Sequence, residues 1–188
     1  MLRHIAIYGL AFASLATTAV VAQDATGPDL SLVAGSVRTP TAGRPETRIP
    51  YPAIADWSTL RIGLQRRPCF GRCPVYRVEI DGRGTVTYLG ENFVAAEGVR
   101  TAHISERAVR RLYDLFVKAD FFWTFDEYES RVTDFPTYLV TISFDGHAKR
   151  VRDYAGTSVG MPKEIVDLEE AIDAVAGTKK WVKGEGSP

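Results

Sequence analysis

Cys69 and Cys73 are the only cysteines of the 188-residue chain, and they stand four positions apart in R-P-C-F-G-R-C-P-V-Y, Arg67 to Tyr76. Thiols at that spacing can close a bridge, exchange disulfides or hold a soft metal ion. Fully extended, the four steps would hold the two Cα atoms about 13 Å apart, against the ~7 Å limit for a disulfide. A bridge therefore needs a tight turn, and Gly71 lies between the cysteines where such a turn is required. Pro74 then opens a strand at a position that donates no hydrogen bond. For a loop of about five residues the closure entropy is worth only about 2 kcal/mol, so a bridge here shapes a corner more than it holds a domain together.

The competing chemistries fit the pattern less well. Reactive pairs of the thioredoxin type follow a strand, open a helix and use C-x2-C spacing, whereas this pair precedes a strand with three residues between the sulfurs. The C-x3-C-P run resembles the thiolate motif of periplasmic copper chaperones, in which a distant histidine completes the site, and His103 or His147 would have to serve. Zinc in a structural site takes four ligands, and no second cysteine pair supplies them. An even cysteine count in an exported protein makes the disulfide the expected state. Copper binding or disulfide exchange through the same pair is the alternative.

Two charged clusters are the remaining candidates. Arg61, Arg66, Arg67 and Arg72 occur without an acid between Leu60 and Cys73, and Asp126, Glu127, Glu129 and Asp134 gather in F-F-W-T-F-D-E-Y-E-S-R-V-T-D-F-P. Arg66, Arg67, Arg72, Asp126, Glu127 and Glu129 form a candidate binding surface. The acids could also supply the acid and base of a hydrolase, although aromatic core residues with acids facing water explain the stretch more simply. There is no G-x-S-x-G elbow, no H-E-x-x-H and no glycine-rich phosphate loop. No catalytic residue is assigned, no cofactor is expected, and the reading leans away from an enzyme. Lys plus Arg equals Asp plus Glu, at 23 each, which removes the electrostatic footprint of a nucleic-acid binder.

The elements that must position these residues show an internal echo. At an offset of 62 residues Pro74-Val-Tyr76-Arg-Val78-Glu-Ile80 lies over Pro136-Thr-Tyr138-Leu-Val140-Thr-Ile142. Each segment alternates with period two and runs into Asp-Gly, Asp81-Gly82 and Asp145-Gly146, a hairpin signal. The second strands are expected at Thr85 to Leu89 and Ala148 to Tyr154, with further strands at Thr59 to Gln65, Val99 to Ile104 and around Phe122 to Tyr128. Ser105 can cap a helix whose stripe is Val109, Leu112, Tyr113 and Phe116. Pro162 suits the first turn of a second, with Ile165, Leu168, Ile172 and Val175 as its stripe and Gly177 as its stop. Hairpins with one apolar face need a cover. The expectation is an α+β two-layer sandwich: a curved antiparallel sheet with both helices on one face, for which a tandem hairpin-helix repeat is one way of building it.

Around that domain the chain is simpler. M-L-R-H leads into Ile5 to Ala22, which has no charged side chain and ends in the small residues a signal peptidase reads. Residues 1–22 are therefore read as a cleaved secretory signal, with no membrane span left after cleavage. Residues 23–56, rich in Pro, Thr and Gly, are read as a flexible linker, 57–180 as one domain and 181–188 as a disordered tail. A periplasmic or secreted location follows, with an envelope protein or polymer as the kind of partner.

At C-F-G-R-C-P-V-Y-R-V-E-I-D-G-R-G-T-V-T-Y, Cys69 to Tyr88, the chain resembles an uncharacterised bacterial family, a domain of unknown function found in exported or lipid-anchored proteins. D-F-P-T-Y, Asp134 to Tyr138, and P-x-x-I-x-x-L-E-x-x-I-D, Pro162 to Asp173, are similar to it as well. The resemblance covers roughly Leu60 to Ala176 and brings no activity, substrate or catalytic residue. It implies that the cysteine motif and the strand layout belong together.

Overall fold

Period-two alternation decides which side chains of each strand face inward, and in a computed structural model of the chain the inward sets line up across neighbouring strands. The described residues are 48 and 50–184, so the expected signal segment 1–22 and most of the expected linker lie outside them. Seven strands form one sheet: β1 (Arg61–Arg66), β2 (Val75–Asp81), β3 (Thr85–Asn92), β4 (Gly98–His103), β5 (Glu127–Glu129), β6 (Thr137–Phe144) and β7 (His147–Tyr154). Their order is β4-β3-β2-β1-β6-β7-β5. Helices α1 (Glu106–Lys118) and α2 (Lys163–Ala176), followed by the short α3 (Lys179–Val182), complete an α+β fold.

The two echoed segments become β2 and β6, and both pair with β1. Ile62 stands opposite Ile80 and Ile142, and Leu64 opposite Val78 and Val140, at the same 62-residue offset seen in the sequence. The hairpin partners then lie on opposite sides, β3 outside β2 and β7 outside β6. The two hairpins are thus arranged like mirror neighbours about β1. Since β2 and β6 run in the same direction and turn the same face inward, no rotation superposes one hairpin on the other.

Both helices close over that inward face. Val109, Leu112, Tyr113 and Phe116 of α1 and Ile165, Leu168 and Ile172 of α2 share one buried cluster with Ile62, Leu64, Val78, Ile80, Val140 and Ile142. Ser105 caps α1 by accepting a hydrogen bond from the Ala108 N–H at 3.3 Å. Pro162 sits at the N-cap of α2, one position before its first turn. Gly177 ends that helix at φ 68°, an angle that L side chains rarely take.

Three expectations need correction. The sheet is mixed rather than wholly antiparallel, because β5 pairs with β7 in parallel. β5 follows α1 through a connection in which Phe121 and Thr124 are buried, and it lies beside β7 running in the same direction. The end of the stretch read as linker also belongs to the domain. The Tyr51 ring packs against Tyr113, Phe122 and Phe144, and Asp145 of the β6–β7 turn accepts hydrogen bonds from the Ala55 and Asp56 N–H groups. Likewise residues 181 and 182, expected in a disordered tail, lie in α3. There Trp181 is buried against Tyr88, and the carbonyls of Trp181 and Val182 accept hydrogen bonds from Ala96 and Ala95. Proline-rich and charged flanks hid single aromatic anchors on both sides.

Trp181→Ala should therefore cost about 3 kcal/mol of stability in urea denaturation, as for a large aromatic removed from a core. A loss within a few tenths of a kcal/mol would return residue 181 to the tail.

Candidate functional site

The inward face of the sheet is built in cross-strand rows, and the third row changes character. Ile62, Ile80 and Ile142 form one row and Leu64, Val78 and Val140 the next. Two residues on, Arg66 stands between Tyr76 and Tyr138, with Asp153 beyond Tyr138 on β7. By the same alternation this polar row faces α2, which presents Glu169 and, one turn later, Asp173. Polar side chains at a sheet–helix interface have to find partners there.

Arg66 finds its partner in Asp173. Its Nε and Nη2 donate to one carboxylate oxygen, Oδ2, at 2.9 and 2.7 Å, and its guanidinium lies 4.4 Å above the centre of the Tyr138 ring. Tyr76 donates its hydroxyl to the same carboxylate at 2.8 Å, and the Thr178 hydroxyl donates to Oδ1 at 2.6 Å. Both charged side chains keep 18% of their surface exposed. Burial alone would disfavour the guanidinium charge, but Asp173 outweighs it and holds the Arg66 pKa above its ordinary value. Burial, followed by the charge of Asp173, raises the Tyr76 pKa, so its hydroxyl stays protonated and donates.

Behind this pair lies a second acid. Glu169 is only 3% exposed, and its Oε1 has no hydrogen-bond partner. Burial, reinforced by Asp153, pushes its pKa up to about 8, so it is a neutral acid at neutral pH. Asp153, itself buried, accepts a hydrogen bond from the Gly156 N–H at 2.6 Å.

In front of the pair the surface is concave. A cleft of about 240 Å³ is lined by Arg66, Cys73, Pro74, Tyr76, Pro136, Tyr138, Asp173 and Val182. Cys69 and Cys73 are bridged with their Cα atoms 5.8 Å apart, and one residue of the pair, Cys73, lines the cleft. Phe70, within the bridged loop, is 87% exposed. A larger hollow of about 490 Å³ lies where Arg48, Pro50 and Tyr51 meet the end of α1. Two of its three charged residues, Arg48 and Asp120, pair with each other at 2.6 Å, and the third is Lys118. Of these two hollows, the smaller brings together aromatic, charged and disulfide-bonded residues.

The other residues singled out from the sequence lie elsewhere. Arg67 and Arg72 are exposed: the Arg67 N–H extends the β1–β6 ladder to the Thr137 carbonyl, and Arg72 sits 5.8 Å from the centre of the Phe93 ring. Asp126 pairs with Lys149, and Glu127 and Glu129 pair with Arg152. With β6 and β7 between β1 and β5, these acids do not meet Arg66. His103 and His147 lie at the end of the sheet away from the cysteines, opposite Thr85 and Phe144 respectively, across roughly 20 Å of strand. The described residues contain no group of three or more His, Cys, Asp or Glu side chains able to hold a metal ion.

The groups that sequence reasoning passed over are Tyr76, Tyr138 and Asp153 on the sheet and Glu169, Asp173 and Thr178 on the helical side. A usable signal was present for Glu169: between Leu168 and Ile172 it falls on the apolar stripe, where an acid requires an explanation. Arg66 continues the alternation of Ile62 and Leu64 in the same way.

The cleft also gathers the three segments that carry the family resemblance. Cys73, Pro74 and Tyr76 come from C-F-G-R-C-P-V-Y, Pro136 and Tyr138 from D-F-P-T-Y, and Asp173 from L-E-x-x-I-D. Residues 60–176 match the family described as a domain of unknown function (DUF6438). The chain belongs to this family. No curated protein matches it. The match starts just before β1 and ends with α2, so it encloses the polar row, the bridge and every cleft residue but Val182, while Tyr51 and Trp181 brace the family domain from outside.

Two measurements check the polar row. Because the Glu169 pKa is raised in the folded state, its contribution to stability is greatest below about pH 4.5 and is lost as pH rises towards 8. Urea denaturation should show stability falling between pH 5.5 and 8.5, and Glu169→Gln should flatten that slope; an equal slope in both proteins would contradict the neutral acid. Asp173→Ala leaves a largely buried guanidinium without its counter-charge and should destabilise the fold by about 2–4 kcal/mol in the same assay.

Proposed function

We propose that this domain works outside the cytoplasm as a non-enzymatic binding module, with the cleft at the polar row as its ligand seat. The observation that carries the reading is the convergence of Arg66, Tyr76, Tyr138 and Asp173 on a concave surface that is also lined by Cys73 of the Cys69–Cys73 bridge. Few and fixed polar groups within a mostly apolar hollow are what a binding site needs. Two features argue against catalysis there. The sulfurs are joined to each other, and the Asp173 carboxylate already accepts from Arg66, Tyr76 and Thr178, which leaves no free lone pair aimed at a substrate.

The bridge supports the extracytoplasmic part of the reading, because disulfides persist where thiols are not kept reduced. The charged n-region and apolar run of residues 1–22 support it independently. An envelope protein or polymer is the partner this setting offers, its end or a side group entering the cleft.

Solvent mapping tests the seat. Crystals soaked separately in isopropanol, acetone and acetonitrile should show these chemically different probes superposed between Pro74, Pro136 and Tyr138. Probes scattered over the surface with none in the cleft would overturn the reading. For the location, cell fractionation followed by intact mass should find a chain that begins at Gln23 and is two hydrogens lighter than its reduced form. A cytoplasmic chain with two free thiols would sink it.

A further inference from the structure

The hydrogen-bonding balance of the cleft is uneven, and the imbalance specifies what can enter. Asp173 accepts from Arg66 Nε, Arg66 Nη2, the Tyr76 hydroxyl and the Thr178 hydroxyl. A carboxylate offers about four acceptor sites, so Asp173 is saturated. Arg66 has spent two of the five N–H groups of a guanidinium, both on the same oxygen. Its remaining N–H groups lie on the Nη1 and Nη2 nitrogens; neither nitrogen is a buried atom lacking a partner, and Arg66 lines the cleft.

From this we infer that the cleft binds a small monocarboxylate, held through both oxygens by the free Nη1/Nη2 edge of Arg66, with a short apolar or aromatic substituent against Pro74, Pro136 and Val182. The inference rests on the cleft being the binding seat. A planar guanidinium edge matches a planar carboxylate in two parallel charge-assisted bonds, a geometry that a single-oxygen acceptor cannot satisfy. Among the described residues Arg66 is the only cationic one lining the cleft, so the anion has one place to go. Asp173 occupies the Nε side of the guanidinium, and its charge is shared with Tyr76 and Thr178, which limits its repulsion of a second carboxylate. Glu169, neutral at neutral pH, adds no negative charge behind Arg66. The remaining lining residues are Cys73, the two prolines, Val182 and Tyr138, and they suit an apolar substituent. A volume of about 240 Å³ sets the size: it falls below the ~300–1,000 Å³ of sites for drug-sized ligands, so the occupant is a short acid or the carboxylate end of a longer chain.

The test compares acids with their isosteric amides. The full chain, labelled with ¹⁵N, is titrated with butyrate and benzoate and in parallel with butyramide and benzamide. The Arg66 Nε–H and the Cys73 and Tyr138 amide signals serve as reporters. The acids should move these signals with a dissociation constant at least ten-fold lower than that of the matching amide. Arg66→Lys, which keeps the charge and loses the planar edge, should erase at least ten-fold of that preference, and Arg67→Lys, outside the cleft, should leave it unchanged. Amides binding as well as acids, or acids moving the Arg67 and Arg72 signals instead, would overturn the carboxylate assignment while the solvent-mapping result for the seat stands. Failure of all four probes to move the reporters at tens of millimolar, together with an empty cleft in solvent mapping, would overturn both. The acid-to-amide ratio is read on the native protein, so it remains decisive if Arg66→Lys does not fold.

Discussion

A buried guanidinium needs a counter-charge, and in this domain the carboxylate that supplies it comes from the other layer. Arg66 ends the central strand of the sheet, and Asp173 lies in the last turn of α2. Their pairing at 2.7 Å fixes where the helix ends over the sheet. Thr178, which follows the Gly177 stop, donates to the same carboxylate and ties the start of α3 to it. Through α3 the tie reaches Trp181, Tyr88 and Tyr76, whose rings form a ladder back to the polar row. A charge pair of this kind contributes little net stability compared with a well-packed apolar substitute, but removing one member leaves the other exposed to the full desolvation cost. Its value lies in specifying one register of helix on sheet, with a concave surface left in front.

The disulfide belongs to the same corner. It closes a loop of only a few residues, so its entropic contribution to stability is small. What it does is hold the β1–β2 connection against the mouth of the cleft, with Pro74 entering β2 on one side and Pro136 entering β6 on the other. The two P-x-Y segments are thus more than a recurring pattern. Placed on either side of β1, they set Tyr76 and Tyr138 opposite Arg66, each two residues after a proline that lines the cleft.

Much of this was legible before any coordinates. The faces of the strands, the stripes of both long helices, the Ser105 cap and the Gly177 stop all follow from period and local chemistry, and a helix or strand buries one face whatever lies opposite. The bridge was legible from the turn that Gly71 permits. The charged clusters were not. Arg66, Arg67 and Arg72 look alike in sequence, and only strand alternation separates the inward Arg66 from its exposed neighbours. The acids from Asp126 to Glu129 looked like half of a site because they cluster, yet each pairs with a cation of the adjacent β7. Tyr51 and Trp181 were lost among flexible-looking neighbours, since composition averages over a window and a single aromatic anchor disappears in it.

By itself the amino-acid sequence determined the class of fold, the inward face of each element, the bridged corner and the segments through which the family is recognised, because each depends on residues near one another along the chain. The tertiary structure alone decided the strand order, the outward course of the two hairpins, the parallel β5 and the cleft. Arg66 and Asp173 are 107 positions apart, and nothing local tells either side chain that the other exists. Their meeting depends on how the apolar faces of the two layers settle against each other, a choice that burial energy makes over the whole core at once.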